Sequence, residues 1–148
     1  METYTLETNL GLYAAQVMVC CCETSWTKDY CKFDRSYYNE ITKYASILHC
    51  YDEALRRYGQ KTIDINCEDN STIESICKNA GAKIFDIDET VPGIGDTFVD
   101  DEGHMAMYIG SGLVCGENDI DEIEIRMDDN TNWKRLISFR EYVIEMES

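Results

Sequence analysis

The chain has 148 residues and a formal net charge of −16, enough length for one domain (1–148) with a sizeable core. That charge excludes electrostatic binding to nucleic acid or to an anionic lipid or wall-polymer surface, which calls for Lys and Arg. No stretch reaches the roughly 18 apolar residues of a membrane span, and the start, Met1-Glu2-Thr3-Tyr4, has neither the basic region nor the apolar core of an export signal.

Without such a signal, the eight cysteines are expected as free thiols, and the lack of paired Cys-x-x-Cys spacing predicts no structural zinc site. Residues 9–22 predict a mostly buried first helix, with Leu12, Ala15, Val19 and Cys22 on one face and Ala14, Val17, Met18 and Cys21 widening it. A polar connector over 23–35 carries Trp26, Tyr30, Cys31 and Phe33. Residues 36–58 then carry an amphipathic stripe of Tyr37, Ile41, Tyr44, Leu48, Tyr51, Leu55 and Tyr58. Asp34 or Ser36 can cap its start, and Gly59 can end it as a left-handed cap, with Arg56 and Arg57 in the last turn. The pattern allows one long helix or two, broken near 46–49.

Thr62-Ile63-Asp64-Ile65 predicts a short strand. Ser71 and Glu74 fit a capping box for a third helix over 72–79, closed by Gly81. Residues 83–87 predict a strand and Val91-Pro92-Gly93 a turn. An antiparallel meander follows: a strand at 97–99, a second at 105–109, and a third after Gly110-Ser111-Gly112. Residues 122–127 alternate as a half-exposed strand, and 133–144 bring a last strand or short helix with Phe139 and Tyr142 inward. Helices first and strands later give an α+β class.

His104, one of two histidines, stands where a polar turn enters the second strand of the meander. That position is rigid yet near the surface, which suits a general base. Gly95-Asp96, an aromatic strand, a short turn, Gly103-His104, and an apolar strand ending Tyr108-Ile109-Gly110-Ser111-Gly112 together resemble the signature of the papain-like NlpC-type and CHAP-type cell-wall peptidases. The close match covers about two dozen residues and extends more weakly to the rest.

The resemblance implies a papain-like fold, with N-terminal helices packed on a C-terminal antiparallel sheet. It implies a cysteine hydrolase that cleaves amide bonds in peptidoglycan peptides with no metal or cofactor. Together with the absent export signal, it suggests a phage lysin, virion protein or injected effector, cytoplasmic in the producing cell and acting on the wall after release or injection. Such chemistry needs a thiolate at a helix start, where the helix N-terminus lowers its pKa, and a histidine on a facing strand.

Cys50 is the leading nucleophile. Its separation from His104 is close to that usual in NlpC-like members, and Thr42-Lys43-Tyr44-Ala45 is similar to a segment preceding the nucleophile in some CHAP-like enzymes. His49-Cys50-Tyr51-Asp52 departs from the family's Asp-Cys-Ser-Gly, and one long helix would put Cys50 mid-helix. Cys31 is the second candidate, in the first turn of a helix capped by Asp29. In a third alignment, Phe33-Asp34-Arg35-Ser36 resembles the family's Phe-Asp-Cys-Ser with arginine in place of the nucleophile. That register implies a catalytically silent module with a structural or protein-binding role and a partner with a basic surface.

For the group that orients the imidazole, Glu117 leads and Asn118 follows. Cys115 stands where NlpC-like members have a second histidine, and a thiol orients poorly. Strand alternation puts Leu113, Cys115 and Glu117 on one face. His49 and Cys50 point about 100° apart on a helix, so they form no local pair. The acidic runs 100–102 and 119–124 lack the loop spacing of a calcium site and are expected as solvated surface.

Overall fold

The computed structural model describes residues 3–7, 10–24, 44–59, 61–63, 72–118 and 122–147. In chain order these form β1 (Thr3–Glu7), α1 (Leu10–Glu23), α2 (Ala45–Ala54), α3 (Ile73–Asn79), β2 (Lys83–Asp86), β3 (Thr97–Val99), β4 (Met105–Gly110), β5 (Leu113–Glu117), β6 (Ile123–Met127), β7 (Arg135–Ser138) and β8 (Val143–Glu147). The class is α+β: three helices and a six-stranded antiparallel sheet of order β2-β7-β3-β4-β5-β6. None of the described helices is long and apolar enough to cross a membrane.

The sheet has two faces because side chains alternate along each strand. Val99, Met105, Met107, Cys115 and Ile137 join the main core with Leu10, Ala14, Met18 and Cys21 of α1 and Ile47, Leu48, Cys50 and Tyr51 of α2. Phe98, Ala106, Val114 and Leu136 point the other way and pack under Trp133, whose ring stacks on Phe98 at 5.2 Å.

α1 is seated by glycine. Gly95 has φ +92°, and a Cβ there would lie 1.9 Å from the carbonyl oxygen of Gly11. Only a chain without side chains at both points brings the helix this close to the turn before β3. The Tyr51 hydroxyl then donates to the Gly95 carbonyl at 2.5 Å and lies 2.6 Å from Thr97 Oγ1, tying α2 to the same turn.

Several expectations shift. The core face of α1 is Leu10, Ala14, Ala15, Met18 and Cys21, whereas Leu12 is exposed. The helix lies on the sheet along one stripe, so it is not buried all round. α2 begins at Ala45 with Tyr44 at its cap, near the expected break, and residues 36–43 lie outside the described set. Its last turn widens to a π-turn over Leu55–Gly59.

Gly59 is no left-handed cap. Its lack of a side chain makes room for Leu55 and Tyr142, which a Cβ would meet at 3.0 and 3.3 Å. Gly81 does close α3, with φ +112°. The cap of α3 is Thr72, reciprocally bonded with Ser75; Ser71 lies outside the described residues. Glu74 is drawn instead to Arg135, at 2.8 and 3.0 Å.

The Asp52 carboxylate holds Thr62 and Ile63, at 2.7 and 2.8 Å, outside any strand; Asp64 and Ile65, the rest of that expected strand, lie outside the described residues. The stretch 133–144 divides into β7 and the start of β8 around the Phe139–Tyr142 turn. β1, which local pattern does not announce, pairs antiparallel with β8 at the far end of the chain.

Candidate functional site

His104 sits at the end of a tight turn that Asp100 builds. One oxygen of the Asp100 carboxylate accepts the backbone N–H groups of Glu102 and His104, each at 2.9 Å. The other meets His104 Nδ1 at 2.9 Å and accepts from Asn130 Nδ2 at 3.2 Å. Gly103, at φ +86°, supplies the backbone reversal.

Asp100 is buried while the His104 ring is half exposed. Burial pushes the Asp100 carboxyl up, but the donors from His104, Asn130 and Glu102 outweigh it and hold the pKa below the ordinary value of 3.8. The imidazole is therefore oriented through Nδ1, which leaves Nε2 facing away from the carboxylate. This is the geometry of an acid–base histidine with its carboxylate partner.

The ring borders a cleft of about 280 Å³, lined also by Asp128, Asp129, Arg126 and Trp133. Trp133 Nε1 donates to Asp128 at 2.9 Å, which ties the loop after β6 to the floor of the cleft. Among the described residues, Asp100, Glu102 and His104 form the one set whose carboxylate and ring atoms lie close enough to share a metal ion, all within 4.8 Å. Asp100 and His104 already bond to each other there.

The expected nucleophile lies elsewhere. Cys50 is in the second turn of α2, fully buried, with Sγ 4.0 Å from Met18 Sδ. Burial above all pushes its thiol well above the ordinary range. The sheet separates it from His104. Met105 and Met107 face the helices, so His104, in phase with Ala106, faces the cleft. The structure therefore does not bring Cys50 and His104 together. Cys31 and the Phe33-Asp34-Arg35-Ser36 stretch lie outside the described residues.

Glu117 is on the helix side too. It is buried, and its Oε1 accepts the backbone N–H of Ser46 at 3.0 Å. The carboxylate thus occupies the N-terminus of α2, where a helix attracts negative charge. It caps a helix and does not orient an imidazole. Asn118, just after β5, accepts from the Glu122 N–H at 3.0 Å and donates to Glu124 at 3.3 Å. Cys115 faces α1, 4.0 Å from the Met18 carbonyl, and burial pushes its thiol up to about 12.

Two groups were missed by the motif. Asp100 was expected as solvated surface, yet it is the partner of His104; an Asp-x-x-x-His span across a glycine turn carries that signal. Asp101 of the same run pairs with Arg135 at 2.9 Å. No protein-family model, no curated protein and no solved structure matches the chain.

Proposed function

We propose that this chain is a catalytically silent module of papain-like type that binds a protein partner with a basic surface. One observation carries the reading: the thiol of Cys50 and the imidazole of His104 lie on opposite faces of the sheet. The helix start supports it further. Ala45 opens α2, and the backbone N–H of Ser46, which a hydrolase would turn toward an oxyanion, is taken by Glu117. Four carboxylates, from Asp100, Glu102, Asp128 and Asp129, meet one arginine around the cleft, and the net charge of −16 extends that bias over the molecule. Such a face attracts Lys- or Arg-rich segments.

A specific observation also favours a second reading. The Asp100–His104 pair is built like the base of a thiol hydrolase, and Cys31 remains as a nucleophile for cleavage of peptidoglycan peptides, as expected of a lysin, virion protein or injected effector. The assay that separates the two measures new amino groups released from purified peptidoglycan. The silent module releases none. Release that Cys31→Ser and His104→Ala each abolish overturns it in favour of the hydrolase. Binding is checked by titrating a lysine-rich peptide at low salt. The expected complex weakens as salt rises and weakens further with Asp128→Asn and Asp129→Asn; absence of any binding removes the proposed partner class.

A further inference from the structure

One wall of the cleft carries a set of metal-ligating atoms that the reading above does not use as such. Asp100, Glu102 and His104 stand at alternate residues of one turn and offer two carboxylates and an imidazole, all within 4.8 Å of one another. His104 Nδ1 lies 2.9 Å from Asp100 Oδ2 and 3.9 Å from Glu102 Oε2. Tetrahedral ligands about 2.0–2.2 Å from an ion such as Zn²⁺ stand roughly 3.4 Å from one another, and the two separations bracket that spacing. Closing the site takes shifts of about 0.5 Å, which the 73% exposed Glu102 side chain can make.

Two further observations set these residues apart from ordinary acidic surface. Asp100 is buried and its carboxylate is fixed from behind. Its Oδ1 accepts the N–H groups of Glu102 and His104, and Asn130 Nδ2 donates to its Oδ2. Ligating carboxylates in metal sites are held by hydrogen bonds in this way. Arg126 lines the same cleft, and its Nη1 is buried with no hydrogen-bond acceptor among the described residues. Glu124 Oε1, at 3.8 Å, is beyond hydrogen-bond distance. A buried donor of this kind calls for an oxygen that the polypeptide does not supply. The water or anion on a bound ion is such an oxygen.

We infer that Asp100, Glu102 and His104 bind a first-row divalent ion of the Zn²⁺ class, with an open coordination position on the cleft. Imidazole and carboxylate donors together suit such an ion, whereas Ca²⁺ and Mg²⁺ keep to oxygen. The ion enters between His104 Nδ1 and Asp100 Oδ2, and the proton shared there leaves to solvent. Three protein ligands leave a further position for water or an anionic group. Asp128 and Asp129, which also line the cleft, and the net charge of −16 raise the local concentration of cations. The site stands whether or not a basic partner docks at the same cleft.

The test titrates Zn²⁺ into the whole reduced protein with ¹⁵N-labelled histidine rings and follows the rings by NMR; the signals absent from His104→Ala identify His104. In the wild type, the His104 ring nitrogens should shift and reach a plateau, a result that depends on the folding of no variant. Glu102→Gln should weaken the affinity read at His104 roughly tenfold or more, and Asn130→Ala should weaken it by about tenfold. Glu141→Gln makes the same change of charge outside the cleft and should leave the affinity unchanged. A His104 ring that Zn²⁺ does not move would overturn the inference. So would wild-type affinity in Glu102→Gln, or equal weakening in Glu141→Gln, which would reduce the effect to general attraction between an acidic protein and a cation.

Discussion

The two faces of the sheet hold the same kinds of polar group in opposite settings. On the helix-covered face, Glu117 is buried and held by a backbone donor, and the thiols of Cys50 and Cys115 are pushed up by burial. On the open face, Asp100 is buried at the floor of a cleft and the half-exposed His104 ring stands over it. A carboxylate serves each side, once as a helix cap and once as the partner of an imidazole. The difference shows how a residue set that reads as one catalytic constellation divides when strand phase is taken into account. Glu117 and Cys50 share a face with each other and not with His104.

The largest test of that division is Glu117→Ala. It removes the acceptor at the N-terminus of α2 and leaves a buried N–H unsatisfied, a cost of roughly 2–3 kcal/mol. Thermal unfolding should show the melting temperature falling by about 5–10 °C, with Glu117→Gln recovering part of it. A neutral outcome would mean that Glu117 is not the cap and would reopen its role at the His104 site.

Asp100→Ala comes next, at about 1–2 kcal/mol, because four nitrogens of Glu102, His104 and Asn130 lose their partner at the cleft. It should also change the acid limb. The folded-state pKa of Asp100 lies below its unfolded value, so its contribution is complete above the ordinary 3.8 and is lost as pH falls through the folded value. Urea unfolding between about pH 4 and pH 2 should therefore be flatter in Asp100→Ala than in the wild type. Parallel curves would remove the carboxylate from the turn.

The smallest effect belongs to His104→Ala. A half-exposed ring with one hydrogen bond to Asp100 should contribute about 0.5 kcal/mol, which chemical denaturation can resolve against Glu117→Ala in the same buffer. A loss as large as that of Glu117→Ala would place His104 in a core and break the contrast between the two faces.

Much of the fold was legible. The β4 run, the meander around it and the closure of α3 at Gly81 follow from periodicity and turn residues that act locally. The joint placement of Cys115 and Glu117 on one face follows from the same alternation. The pairing of β1 with β8 was not legible, since it joins opposite ends of the chain. The true face of α1 was also obscured, because a helix apolar nearly all round does not declare which stripe the sheet covers. The separation of Cys50 from His104 did leave a signal. Met105 and Met107 are the bulky apolar pair of β4, so the core lies on their side and His104, one residue earlier, must point away. Matching the motif by spacing alone passed over that parity.

Glu117 also ties the register of the sheet to the position of a helix. It is the last residue of β5, paired with Ile123 of β6, and its carboxylate reaches Ser46 only because β5 presents that position toward α2. A slip of β5 by one residue would turn Glu117 toward the open face and bring Gly116 or Asn118 to the helix start. Gly116 has no side chain to cap with, and an amide at that point would lack the charge the helix attracts. The same slip would turn Cys115 out of the core and Val114 into it. Register isomers of the meander therefore lose a helix terminus as well as a hydrophobic face, so the chain discriminates against them twice.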